Sequence, residues 1–158
     1  MNRHGMTLIV KNVTRLISGF IAVFGVYIAM TGHLSPGGGF AGGVIVAAAG
    51  VLIVLAFGGE AARKVVTEST CHVADAAGAL GFLAVGLCGF FAGSFFARFV
   101  PIGRLHHLAS GGTLPLSNLA IMVKVAAGLA GVFIALTAYG HVAKTGDRPK
   151  RGTTPSEE

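Results

Sequence analysis

The residue with the most chemistry available to it is Lys124, a cation inside the otherwise uncharged run from Asn118 to Gly140. A lysine at the centre of a membrane helix costs about 2.5–3.5 kcal/mol on insertion scales, which makes function the default hypothesis and proton relay or charge gating the expected role. It follows Asn118 by roughly 9 Å of helix and shares a face with Ala120, Ala127, Gly128 and Gly131, so it is expected to face protein rather than lipid. Two other readings stay open: snorkelling to the outer interface, and pairing with a carboxylate of another subunit. His33, at the outer end of the first apolar run, is a second candidate for proton transfer, against the reading of a solvated or turn-bonded interfacial side chain. It opens a glycine-built corner in which Pro36, Gly37, Gly38, Gly39, Phe40, Gly42 and Gly43 join two apolar runs with no Asp, Glu, Lys or Arg between them. Such a corner either makes a tight antiparallel turn, with Ser35 and Pro36 in the cap and first-turn positions of the next helix, or holds irregular backbone at membrane depth that lines an ion path.

These residues require elements that cross a membrane. Hydrophobic residues make up 53% of the chain and charged ones 11%, with 25 glycines in 158 positions; a soluble domain needs more surface charge. Four windows, Val13 to Met30, Phe40 to Gly59, Ala74 to Ala97 and Asn118 to Gly140, are each long enough to span about 30 Å of hydrocarbon as helix. The fold class is an all-α membrane protein with four transmembrane helices. The first window exceeds the apolar length of a secretory signal and lacks its small-residue cleavage site, so it is expected to remain in the mature protein.

Orientation follows from the cations. Arg3, Lys11, Arg15, Arg63, Lys64, Lys144, Arg148, Lys150 and Arg151 fall on one side of the four spans, whereas Arg98 and Arg104 fall on the other. Both termini are therefore expected in the cytoplasm, with the glycine corner between helices 1 and 2 outside. The net charge of +6 is accounted for by topology, not by a nucleic-acid surface. Residues 1–143 form the membrane domain, and 144–158, polar and rich in Pro, Gly, Thr and charge, read as a disordered cytosolic tail.

No convergent metal ligands, cysteine cluster, phosphate loop or nucleophile–base pair is present in the sequence, so no catalytic residue, metal or cofactor is expected. Glu60, Glu68 and Asp75, near Arg63 and Lys64, are read as a solvated inner loop. Small residues at four-residue spacing, Gly38/Gly42, Gly39/Gly43 and Gly89/Gly93, and the face of Gly128 and Gly131 with Ala120, Ala127 and Ala135, predict close helix packing and a subunit of a larger complex. Pro115 and Asn118, at the end of the stretch Ser110 to Asn118, mark the start of the last helix.

The strings Gly32-His33, Pro36-Gly37-Gly38-Gly39-Phe40, Gly42-Gly43, Ser110-Gly111-Gly112-Thr113, Pro115-Leu116, Asn118 and Lys124-Val125 with Ala127-Gly128-Leu129-Ala130-Gly131 together resemble the B-type component of the multisubunit Na⁺/H⁺ antiporters of the Mrp or Mnh type. The resemblance covers nearly the whole membrane part. It implies a prokaryotic plasma-membrane complex of small subunits and large antiporter-like ones, exchanging Na⁺ for H⁺. Similar subunits occur in membrane-bound hydrogenases and related energy-converting complexes, so a membrane-arm role in a redox-driven machine and a passive scaffold are the competing functions. The partners implied are other membrane subunits, the transported Na⁺ and H⁺, and lipid, with no nucleic acid.

Overall fold

A computed structural model describes residues 6–34, 36–58, 68–96 and 111–146. All but the first three residues of the expected cytosolic tail 144–158, most of the loop carrying Arg63 and Lys64, and the segment with Arg98 and Arg104 lie outside them. Within the described residues the protein is all helical: α1 (Leu8–Met30), α2 (Gly38–Phe57), α3 (Glu68–Cys88), a 3-10 turn at Gly89–Ala92, and α4 (Leu114–Gly146). Four helices are long and apolar enough to cross a membrane. The 20 residues of α2 rise about 30 Å, whereas the 33 of α4 rise roughly 50 Å and exceed a bilayer's hydrocarbon thickness.

Helix boundaries differ from the hydropathy windows for physical reasons. α3 begins at Glu68, not Ala74, and gives way at Gly89, before the expected Ala97. Gly93 there takes a φ of +107°, and Phe90, Phe95 and Phe96, beyond the last turn, gather with Phe96 folded back onto Phe82 of the helix. Pro36 lies before α2, whose N-cap is Gly37 with no side-chain cap, so the expected Ser35–Pro36 start is displaced by two residues. α1 is closed by Thr31, which donates both its amide and its hydroxyl to the Tyr27 carbonyl, at 3.0 and 2.8 Å.

The helices form a curved layer rather than a closed bundle, in the order α1, α2, α4, α3, with α1 and α3 at its edges. Contacts between small residues set the directions. Gly42 of α2 meets Gly25 and Ala29 of α1, an antiparallel pair; Gly39 and Gly43 meet Asn118 and Met122 of α4, a parallel pair; Gly81, Gly78 and Gly131 match α3 antiparallel to α4 through Ala120, Lys124 and Cys71. The start of α1, the end of α2, the start of α3 and the end of α4 thus share one end of the layer. Apolar burial cannot drive this assembly in lipid, where the surroundings are as apolar as the side chains, so the association rests on close packing. At that packing one carbon decides. A side-chain carbon at Gly42 would lie 2.6 Å from the Gly25 carbonyl oxygen and 2.9 Å from Ala29 Cβ, whereas Gly50 has open space around it.

Gly42→Ala is therefore expected to destabilise the protein by about 1–3 kcal/mol, the range of an overpacked contact. Gly50→Ala is expected to be neutral or slightly stabilising, since alanine favours helix over glycine by up to about 1 kcal/mol. Thermal unfolding of the purified protein in detergent checks this, and equal losses for the two variants would remove the packing explanation.

Candidate functional site

Lys124 lies ten residues into α4, about 15 Å from that helix's start, and Asp75 lies seven residues into α3. The antiparallel register brings them together: Lys124 Nζ donates to Asp75 Oδ1 at 2.8 Å. The pair is held by the backbone contact beneath it. A carbon added at Gly78 would lie 2.7 Å from the Lys124 nitrogen and 2.9 Å from the Ala120 carbonyl oxygen, so only glycine lets the two helices approach this closely. About one turn on from Lys124, Gly128 leaves room for the Asp75 carboxylate, 3.8 Å from where its own side-chain carbon would stand.

The expectation that Asp75 belongs to a solvated loop is corrected here. The earlier start of α3 puts it inside the apolar span Ser69–Phe91, and the partner of Lys124 is a carboxylate of the same chain. The sequence does carry a signal for it, because Cys71, Asp75, Gly78 and Phe82 recur at helical spacing on one face. Both side chains remain open in the isolated chain, Lys124 at 48% and Asp75 at 42% exposure. Hydrocarbon does not solvate an ion pair, and intramembrane ionisable residues face a protein interior or a water-filled cavity. Water or another polypeptide must therefore cover this face. With either over it, the pair has a movable cationic proton donor hydrogen-bonded to an anionic acceptor, which is the chemistry needed to pass a proton or to respond to a cation.

His33 belongs to a second, separate cluster. Its ring stands against Gly111, where an added carbon would lie 2.8 Å from the ring's Cγ and 3.0 Å from Pro115 Cδ. Alongside, Asn118 is enclosed by Gly32, Gly38 and Gly39. Gly38 takes a φ of +74°, a backbone that side-chain-bearing residues rarely adopt, and this turns the chain into α2 against the Asn118 side chain. Ser117, one residue before, donates its hydroxyl to the Thr113 carbonyl at 3.3 Å and fixes the first turn of α4. His33, Gly38 and Gly39 thus gather at the first turns of α4, where Asn118 stands about 9 Å along that helix from Lys124, while Gly37 packs on Ile28 of α1 and Pro36 precedes it in the chain. Phe40 is exposed at 65%, while Gly42 and Gly43 face α1 and α4 respectively. Sequence reasoning misses Asn118 as the residue on which this corner closes and sees it only as a helix-start signal.

Among the described residues no three His, Cys, Asp or Glu side chains converge as a metal site would require. Cys71 is buried and Cys88 exposed, on one helix and without a disulfide.

Residues 9–131 match the family described as a domain related to the MnhB subunit of Na⁺/H⁺ antiporter. An uncharacterized protein of Methanocaldococcus jannaschii is 33% identical over 130 residues, covering 78% of this chain and 49% of its own. The B-type component of a Bacillus subtilis Na⁺/H⁺ antiporter is 38% identical over 69 residues, covering 44% of this chain and 48% of its own. The chain spans about half the length of these curated relatives. Among solved structures, a chain of the membrane-bound sulfane sulfur reductase, an archaeal respiratory membrane complex, superposes with a TM-score of 0.68 at 31% identity, over 85% of this chain and 62% of that one.

Removing one partner of the ion pair strands the other charge at membrane depth. Lys124→Ala and Asp75→Ala are each expected to lower the amount of folded protein in the membrane severalfold, and the double variant to recover a large part of it. Quantitative blots of membrane fractions check this; losses that simply multiply in the double variant would mean the two side chains act independently.

Proposed function

The chain belongs to the family of domains related to the MnhB subunit of Na⁺/H⁺ antiporters, and from that membership we propose that it is an integral subunit of a multisubunit monovalent cation/proton antiporter. It works as a multi-pass protein of the prokaryotic plasma membrane with both termini in the cytoplasm, and it assembles with other small and large membrane subunits that carry Na⁺ against H⁺. It has no catalytic site of its own. The observation that carries the reading is the Lys124–Asp75 pair, an ion pair between two membrane spans of one polypeptide and open on one side.

In this reading Lys124 is the proton-relay or charge-gating group. Proton transfer between the pair discharges both partners at once, and a cation approaching Asp75 competes with the ammonium for the same oxygen. One carboxylate is too few to hold a desolvated cation, so the remaining oxygen ligands come from backbone carbonyls or neighbouring subunits. His33 and the corner of Pro36, Gly37, Gly38, Gly39, Phe40, Gly42, Gly43 and Pro115 act at the opposite end of the layer from the chain's start. There they shape the outer mouth of the same polypeptide, with His33 as a candidate proton acceptor. The polar stretch 144–158 is the cytosolic tail, which begins within the last turn of α4.

The likeness to a respiratory membrane complex supports a second reading, a membrane-arm component whose proton or cation movement is driven by redox chemistry in other subunits. The two are distinguished by what powers transport.

Inverted membrane vesicles containing the whole complex test both. Na⁺-dependent proton movement is expected without any added electron donor, and Lys124→Ala is expected to reduce it at least tenfold in complexes that blots show to be assembled. A requirement for an electron donor would favour the redox-driven reading. Unchanged exchange in Lys124→Ala would leave the protein as a scaffold.

A further inference from the structure

We infer that Lys11 and Arg15, gathered over the Phe57 ring where α1 begins and α2 ends, form a binding site for the phosphate headgroup of an anionic phospholipid. The Lys11 ammonium lies 5.9 Å and the Arg15 guanidinium 5.6 Å from the centre of that one ring. Both cations are drawn to the ring's negative face, but the ring carries no net charge and neutralises neither. They stand one turn apart on α1, where like charges repel, and at the helix's own N-terminal end, where the backbone dipole is positive. The first turn of α1 contains no acidic residue. Among the described residues the only ion pair is Lys124 with Asp75, so neither cation is matched by a carboxylate there.

Two cations held this close, with no carboxylate beside them among the described residues, call for an anion, and their depth says which one. Lys11 and Arg15 lie about 5 and 11 Å along α1 from its start, within snorkelling reach of the headgroup level of a bilayer. The surface around them is apolar and open: Leu8 is 79% exposed, Ile9 76% and Leu16 65%. A ligand here needs a multidentate anionic head for the guanidinium fork and the ammonium, and a greasy body for the surface beside it. An anionic phospholipid has both. The site also joins the two helices, because Met6 donates its amide to the Ala56 carbonyl at 3.2 Å beside the same ring, so an occupied headgroup would brace α1 against α2.

The test uses the protein purified with whatever subunits accompany it, returned to nanodiscs of phosphatidylcholine doped with phosphatidylglycerol. In the wild type, a photoactivatable phosphatidylglycerol is expected to label peptides within 8–16 and 52–57, and unlabelled phosphatidylglycerol to compete where phosphatidylcholine does not. Removal of each cation is expected to weaken that competition about fivefold, in K11Q and R15Q singly and more in K11Q/R15Q. Should K11Q/R15Q fail to assemble, the wild-type labelling alone decides. Labelling elsewhere would overturn the proposal, as would undiminished competition in an assembled K11Q/R15Q. Displacement of the lipid by inorganic phosphate at matched concentration would overturn it in favour of a site for free anions. A zero-length carbodiimide cross-link from Lys11 to another polypeptide of the complex would overturn it by showing that a protein carboxylate is the occupant.

Discussion

Helices in hydrocarbon gain almost nothing by hiding apolar side chains from one another, so this fold depends on α4 coming into backbone contact with a neighbour on each side. On one side its Asn118 and Met122 meet Gly39 and Gly43 of α2, and on the other Ala120 and Lys124 meet Gly78 of α3. None of these approaches leaves room for a side-chain carbon on the glycine partner. α2 repeats the device on its other face, where Gly42 meets Gly25 of α1. α2 carries glycines on two faces and α4 receives a neighbour's glycines on each of its two faces, which places both helices in the middle of the layer.

Charge then follows packing. The closeness that Gly78 allows is what lets a lysine and an aspartate from different spans share a hydrogen bond of 2.8 Å. Neither charge would be tolerable alone at that depth. Pairing removes most of that cost and leaves a polar face on an edge of the layer, open in the isolated chain and unsuited to lipid. A face of this kind needs water or another polypeptide over it, and the chain belongs to a family of domains related to the MnhB subunit of Na⁺/H⁺ antiporters.

Much of this architecture is legible in the residues. The four spans follow from runs of apolar residues with almost no charge, and the spacing of Gly38, Gly39, Gly42 and Gly43 announces close neighbours. Helical periodicity places Lys124 on a small-residue face, and that face does meet α3 through Gly78, Asp75 and Cys71. Asp75 is not legible by the same means. Hydropathy puts a boundary where polar residues begin, and His72 holds it at Ala74, so that Asp75 reads as part of the adjoining loop, although a carboxylate that finds a counter-ion in the next helix can sit well inside a span. Local spacing cannot show a partner 49 positions away. Asn118 is hidden in the same way: its side chain reads as a helix-start residue until the tertiary contact with Gly32, Gly38 and Gly39 is seen.

The pairing of Lys124 with Asp75 stands on the register of α3 against α4, and one cysteine reports it directly. A side-chain carbon at Gly131 would lie 3.6 Å from Cys71 Cβ, within the separation of disulfide-bonded Cβ atoms. In a Cys88→Ser background, Gly131→Cys is predicted to close onto Cys71 under mild oxidation in native membranes, so that both thiols escape maleimide labelling and reappear on reduction. Two thiols that stay reactive after oxidation would contradict the register, and with it the pairing of Lys124 and Asp75.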